Sequence, residues 1–218
     1  MSARLRAVVL LAVVCVPVVA GGATLSLGVT GGLTRPDAAR EPWHWDLAPR
    51  AAWGARATLG DGPLALGARV ERVESRQSLA LPAPAPASLA VHGTAVEALA
   101  RVTLMRRAGF AAVASAAAGR TRWSWAPDQV SFDTGTGTTD VAFTPVDAPS
   151  WAFGGGLSRG VGGWTVGASA ERRFTRMDSA HRAGDGVVLG TETFGDWCAR
   201  LELSREWGLG RKERSDAR

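Results

Sequence analysis

The chain has 218 residues, of which 46% are hydrophobic, with nine Trp, no Tyr and a formal net charge of +5. That length suits one domain of ordinary size. Basic groups are almost all Arg and alternate with acids along the chain, so there is no basic stripe and nucleic acid is excluded as a partner.

Residues 1–20 read as an export signal. Arg4 and Arg6 form a basic start, and Ala7 to Ala20 is an almost unbroken apolar run. Val18 and Ala20 place small residues at the spacing that signal peptidase accepts, with Ala23 as a second option. The run falls short of the roughly 20 apolar residues of a membrane helix. No later segment is long and apolar enough either, which excludes a helical membrane protein. Cys15 leaves with the signal, because Val14 is a poor residue before a lipidated Cys. Cys198 is then the only thiol, and no internal disulfide can form. Loss of Arg4 and Arg6 lowers the net charge to +3.

The remaining chain reads as eight strands of period two. The first, Ala23 to Leu33, puts Leu25, Leu27, Val29 and Leu33 on one side. A long loop through Pro36, Pro42 and Pro49 follows. The second, about Arg50 to Gly60, sets Ala51, Trp53, Ala55, Ala57 and Leu59 against Gly54, Arg56 and Thr58. Asp61-Gly62 forms a tight turn. The third runs to Ser75, with Leu64, Leu66, Ala68 and Val70 opposite Gly67, Arg69 and Glu71. The Pro/Ala stretch Leu79 to Ser88 cannot pair inside a sheet. The fourth, about Gly93 to Met105, sets Val96, Ala98, Ala100, Val102 and Leu104 against Glu97, Arg101 and Thr103. A turn at Arg106 to Ala108 leads to the fifth, Gly109 to Trp125, with Phe110, Ala112, Ala114 and Ala116 outward. A third long loop spans Ala126 to Ser150. The sixth, Trp151 to Arg159, and the seventh, Trp164 to Arg176, are joined at Gly160 to Gly163. A fourth long loop, Met177 to Gly190, precedes the eighth. There Trp197, Ala199, Leu201, Leu203, Arg205 and Trp207 share a face opposite Cys198, Arg200, Glu202, Ser204 and Glu206.

Long loops thus follow the odd strands and short turns the even ones. That is the asymmetry of outer-membrane barrels, with short periplasmic turns and long outer loops. The expected fold is all-β: an eight-stranded antiparallel up-and-down transmembrane β-barrel over residues 21–207, with a charged periplasmic tail at 208–218. Trp53, Trp123, Trp151, Trp164, Trp197 and Trp207 form the expected membrane-interface belt, since an indole has an apolar body and an N–H that wants water. Trp43, Trp45 and Trp125 fall at the outer end. The inward row holds Arg56, Arg69, Glu71, Glu97, Arg101, Glu171, Arg173, Arg200 and Glu202. Near charge balance in a narrow lumen calls for a closed ion-pair network.

In pattern, loop asymmetry and charged interior, Ala23 to Trp207 resembles the small eight-stranded outer-membrane barrels of the OmpA-transmembrane and OmpX type. The resemblance implies an aromatic that ends the last strand and is read during insertion, and Trp207 matches it. Arg205 and the residues after Trp207 depart from that pattern.

Little chemistry stands out. His44, His92 and His181 lie in outer loops or at outer strand ends. Some eight-stranded barrels modify lipid A with an outer-rim His, Ser and acid, but the His-x-Ser of the hydrolase is absent. Asp178 and Ser179 near His181 sit in a loop that cannot preorganise a triad. Asp133 and Asp140 flank a Thr/Gly run without calcium-loop spacing. The glycines at 154–156 and 160–163 are not phosphate loops. No catalytic residue, cofactor or metal site is expected.

The first functional reading is a non-enzymatic, monomeric outer-membrane barrel with a side-chain-filled lumen. Its partners are the lipid bilayer and lipopolysaccharide, with surface recognition through the outer loops. The alternative is a soluble, exported, lipocalin-like barrel with the phases swapped: apolar in and polar out. A lipid A-modifying enzyme is the third.

Overall fold

The computed structural model describes residues 23–79, 81–82, 84–183 and 186–209, with side chains described outside 179–189. The expected signal segment and all but the first two residues of the expected tail lie outside these. Ten strands form: β1 (Thr24–Arg35), β2 (Arg50–Asp61), β3 (Leu64–Ser78), β4 (Ser88–Arg107), β5 (Phe110–Ala126), β6 (Gln129–Asp133), β7 (Thr138–Ala142), β8 (Val146–Val161), β9 (Trp164–Ala183) and β10 (Gly186–Gly208). Eight close into an antiparallel barrel in the order β1-β10-β9-β8-β5-β4-β3-β2, and β6 and β7 form a separate hairpin. Closure pairs β1 with β10 from Thr24↔Gly208 to Arg35↔Trp197. No edge is left, as a sheet in hydrocarbon requires.

Three short turns define one end. Positive φ falls at Gly62, at Ala108 and Gly109, and at Gly162 and Gly163. The last two pairs are the geometry of a two-residue hairpin whose twist matches its strands. The turn after β4 is therefore Ala108-Gly109, two residues later than the expected start at Arg106.

The opposite, loop end departs more from expectation. Met177 to Gly190 is not a long loop: β9 and β10 continue pairing to Ala183↔Gly186. β4 starts at Ser88 and β8 at Val146, each five residues before the expected start. On β4 and β8 the outward row becomes apolar only at Val96 and Trp151. Backbone pairing does not need that face, and it runs on into water wherever a neighbour offers partners. Pro149 is tolerated in β8 because it lies beyond the β8–β9 ladder, which begins at Ser150↔Thr175. The third loop carries the β6–β7 hairpin.

A six-residue 3-10 helix, Ala38–Trp43, follows β1, capped by Asp37 and ended by His44 at φ 58°. The chain after it adds a bridge between Trp45 and Gln77 beside β3. Asp46 N–H donates to the Arg76 carbonyl and Ser78 N–H to that of His44. This covers the β3 edge above Val73, where β2 stops pairing.

Candidate functional site: an inverted wall, an ion-paired lumen and a stoppered mouth

Along each long strand the same parity serves two environments. On the turn-end side, aliphatic side chains point out of the cylinder and charges point in. Leu64, Val70, Leu157 and Leu203 are exposed, and Leu104 and Leu201 are 68% exposed. Above Trp53, Trp151 and Trp197 the pattern inverts. There Val73, Val91, Met177 and Phe194 continue the inward rows and are buried. Arg72, Glu74, Arg76, Arg120 and Arg122 continue the outward rows of β3 and β5. The lower wall suits a lipid phase and the upper wall suits water. The inversion excludes the lipocalin arrangement, in which the lower lumen would be apolar.

Trp53, Trp151 and Trp197 ring this boundary, and Trp164 and Trp207 ring the turn end with Phe110; all are exposed. Trp123 is a correction. It is 3% exposed and points inward, edge-on to Trp45 with ring centres 5.2 Å apart. The reason is parity: Trp123 shares a side with Ser115 and Ala117, not with the outward Ala116 and Ala118. That alternation is legible in the sequence, and height along the strand alone does not place a Trp in the girdle. Arg205, an interruption of the apolar face in the sequence, lies with its guanidinium 5.6 Å from the Trp164 ring centre and 5.7 Å from that of Trp207. Cation–π contact settles the charge at the turn-end boundary.

All nine charges expected on the inward rows carry ion pairs, in two groups. The upper group joins Arg69, Arg173 and Arg200 to Glu71, Glu97 and Glu171. Arg69 donates from Nε and Nη2 to Glu97 Oε2 at 3.0 and 2.8 Å, and from Nη1 to Glu171 Oε2 at 2.7 Å. Arg200 donates to Glu171 at 2.8 Å and through two nitrogens to Glu71. Arg173 donates to Glu97 at 3.2 Å and to Glu71. Ser115 Oγ adds a bond to Glu171 at 2.8 Å. Three cations face three anions, all buried, so each guanidinium fork is matched in charge. The lower group is unequal: Arg56 and Arg101 share Glu202 at 3.2 and 3.1 Å. Inward glycines make room for the long side chains. A Cβ on Gly154 would come within 2.8 Å of Glu171 Cγ.

The loop end is closed by residues the sequence did not single out. Arg40 of the 3-10 helix is 1% exposed. It donates to both carboxylate oxygens of Asp196, at 3.1 and 2.9 Å. Its guanidinium carbon is 4.5, 5.2 and 4.6 Å from the ring centres of Trp45, Trp123 and Phe194. Those rings cluster with Val91, Ala148 and Met177. Asp37 ties the loop to β10: its carboxylate accepts from Gly195 N–H at 2.8 Å and from Arg172 at 3.4 Å. Burial acts to raise the Asp37 pKa, but the amides of Ala39 and Gly195 and the charges of Arg172 and Arg40 outweigh it and hold the pKa below 3.8. The one available signal was two Trp, at 43 and 45, in a loop that should otherwise face water.

His44 is exposed at the end of the 3-10 helix, and His92 sits on the outward side of β4 with Nδ1 unpartnered. His181 lies in β9, its side chain outside the described ones. Asp133 accepts from the Gly135 amide and Asp140 from Ser131 Oγ at the β6–β7 tip. Cys198 is buried and accepts from Thr34 Oγ1 at 3.5 Å.

This is the fold of the small eight-stranded outer-membrane barrels. No protein-family model matches the chain, and no curated protein matches it in sequence. Among solved structures it is similar to the outer membrane protein OprG of Pseudomonas aeruginosa. The match is at 7% identity and TM-score 0.51, over 86% of this chain and 97% of that one. Neisserial surface protein A matches at 8% identity and TM-score 0.49, over 85% and 97%. Ail of Yersinia pestis matches at 12% identity and TM-score 0.40, over 85% and 99%.

Proposed function

We propose that this chain is a monomeric, non-enzymatic barrel of the bacterial outer membrane that acts through its loop end. The observation that carries this reading is the inversion of the wall at the level of Trp53, Trp151 and Trp197. It gives a lipid-facing cylinder below and a water-facing crown above. The crown is rigid, because its strands stay paired and its interior is packed around Arg40, and it presents the β6–β7 hairpin. A recognition surface on such a frame loses little entropy on binding. The lumen suits no through-channel: an apolar stopper and a matched ion cluster lie in series. At the Trp ring and just above it, Arg72, paired with Trp53, and Arg120 and Arg122 point outward from β3 and β5. They stand at the height where lipopolysaccharide phosphates would meet the wall, and Arg forks suit phosphate.

Membrane fractionation with gel mobility before and after boiling tests the placement. The folded barrel is expected in the outer-membrane fraction, running faster unboiled. Brief protease treatment of intact cells tests orientation, with cleavage expected within residues 128–145. His181→Ala with analysis of lipid A acylation tests the enzymatic alternative, with no change expected.

A further inference from the structure

Below the ion cluster the barrel opens at its turn end into a cup of about 600 Å³. Its wall carries Arg56, Arg101 and Arg106, while Arg107 at the rim pairs with the outward Phe110. The carboxylates on or next to it are Glu206 and the shared Glu202. Three guanidinium groups thus face two carboxylates, in contrast to the matched group above. Arg56 is 7% exposed, and its Nε has no hydrogen-bond partner. Hydroxyl groups of Thr58, Thr103, Ser158 and Thr165 share the lining.

The placement of Arg106 depends on a backbone irregularity. The β4–β5 register shifts between Thr103 and Met105. Without that bulge Arg106 would continue the even row of Ala100 and Val102, toward lipid. With it, Met105 pairs with Ala112 and is exposed, while Arg106 pairs with Ala111, a residue of the cup wall. A bulge re-aims a side chain in this way.

We propose that the turn-end cup is a binding site for a compact phosphate anion, entering from the periplasmic side. The uncompensated positive charge of the cup favours an anion. Guanidinium forks on β2 and β4 facing hydroxyl donors on β8 and β9 suit the several oxygens of a phosphate better than a planar carboxylate. This site lies at the opposite end from the proposed recognition crown and does not depend on it.

The test is calorimetric titration of the full-length protein, folded in lipid nanodiscs, with sodium pyrophosphate at fixed ionic strength. Glycerol 3-phosphate and citrate are run as parallel probes. One saturable site is expected, with pyrophosphate at least about tenfold tighter than citrate. Binding of glycerol 3-phosphate as tight as pyrophosphate assigns the site to phosphorylated metabolites; weaker binding assigns it to inorganic phosphates. Arg101→Gln and Arg106→Gln should each weaken pyrophosphate by about tenfold. Arg76→Gln, on the outward row of β3 at the other end, should leave it unchanged. Arg106 is exposed and has no ion pair among the described residues, so its variant is expected to fold, as boiling-dependent mobility checks. The proposal is overturned by absence of saturable binding, by citrate binding as tightly, or by unchanged affinity in folded Arg106→Gln.

Discussion

At the residue scale, the most consequential side chain is Arg40. A guanidinium 1% exposed in a loop is tolerable only because Asp196 accepts two of its N–H groups and three aromatic rings surround it. Arg40→Ala would leave the Asp196 carboxylate buried without its cation. The expected cost is about 3–5 kcal/mol, read from urea unfolding in lipid vesicles followed by Trp fluorescence. Arg40→Ala combined with Asp196→Ala should cost less than Arg40→Ala alone, since no uncompensated charge remains. Asp37 makes the loop sensitive to acid. Its folded pKa lies below the ordinary aspartate value. Its stabilisation is therefore complete above that value and is lost as pH falls through the folded one. Amide-exchange protection factors over residues 36–46, corrected for the intrinsic rate at each pH, should fall as the pH drops below the ordinary aspartate range. Asp37→Asn should flatten that dependence.

At the scale of the element, a strand in this barrel has two hydrophobic rules. β10 shows both: Leu201 and Leu203 are exposed on its outer side, while Phe194, of opposite parity, is buried further along. The rule changes where the outside medium changes, not where the chain does. A charge placed on the outward row should therefore be costly below the Trp ring and cheap above it. Leu201→Arg is expected to destabilise the barrel by about 2–4 kcal/mol. Ala90→Arg, on the outward row of β4 in the crown, should stay within about 0.5 kcal/mol. Equal costs for the two, measured by the same unfolding assay, would remove the assigned boundary. The bulge in β4 is the second device at this scale. It lets one strand keep Val102 in the apolar row and still turn Arg106 inward.

At the scale of the whole molecule, the lumen is three compartments in series: an apolar stopper, a matched ion cluster and a cationic cup. Between cluster and cup lies a void of only about 10 Å³, at most the space of one water. The intact protein should show no steady conductance in planar bilayers. Arg40→Ala should show none either, because loosening the stopper leaves the six-charge cluster in place. A conductance that appears on Arg40→Ala alone would mean that the cluster does not close the lumen.

Much of this architecture was legible in the chain, for reasons that lie in local geometry. Side chains alternate across a strand whatever the strand pairs with, so the facing of Leu64, Arg69, Leu201 and Glu202 follows from the order of residues. Turn chemistry marked the short end, and Arg–Glu alternation marked the interior. Alternation says which residues share a side, however, and not which medium lies against that side at a given height. Closing the ring decided that. It brought Arg69 of β3 to Glu171 of β9 across the lumen, and it continued β9 and β10 past their apolar rows. It also folded Arg40 and Trp45 back onto Trp123 and Asp196, contacts that span 78 to 156 positions along the chain. No local pattern encodes such contacts, because they exist only once distant strands enclose a common space.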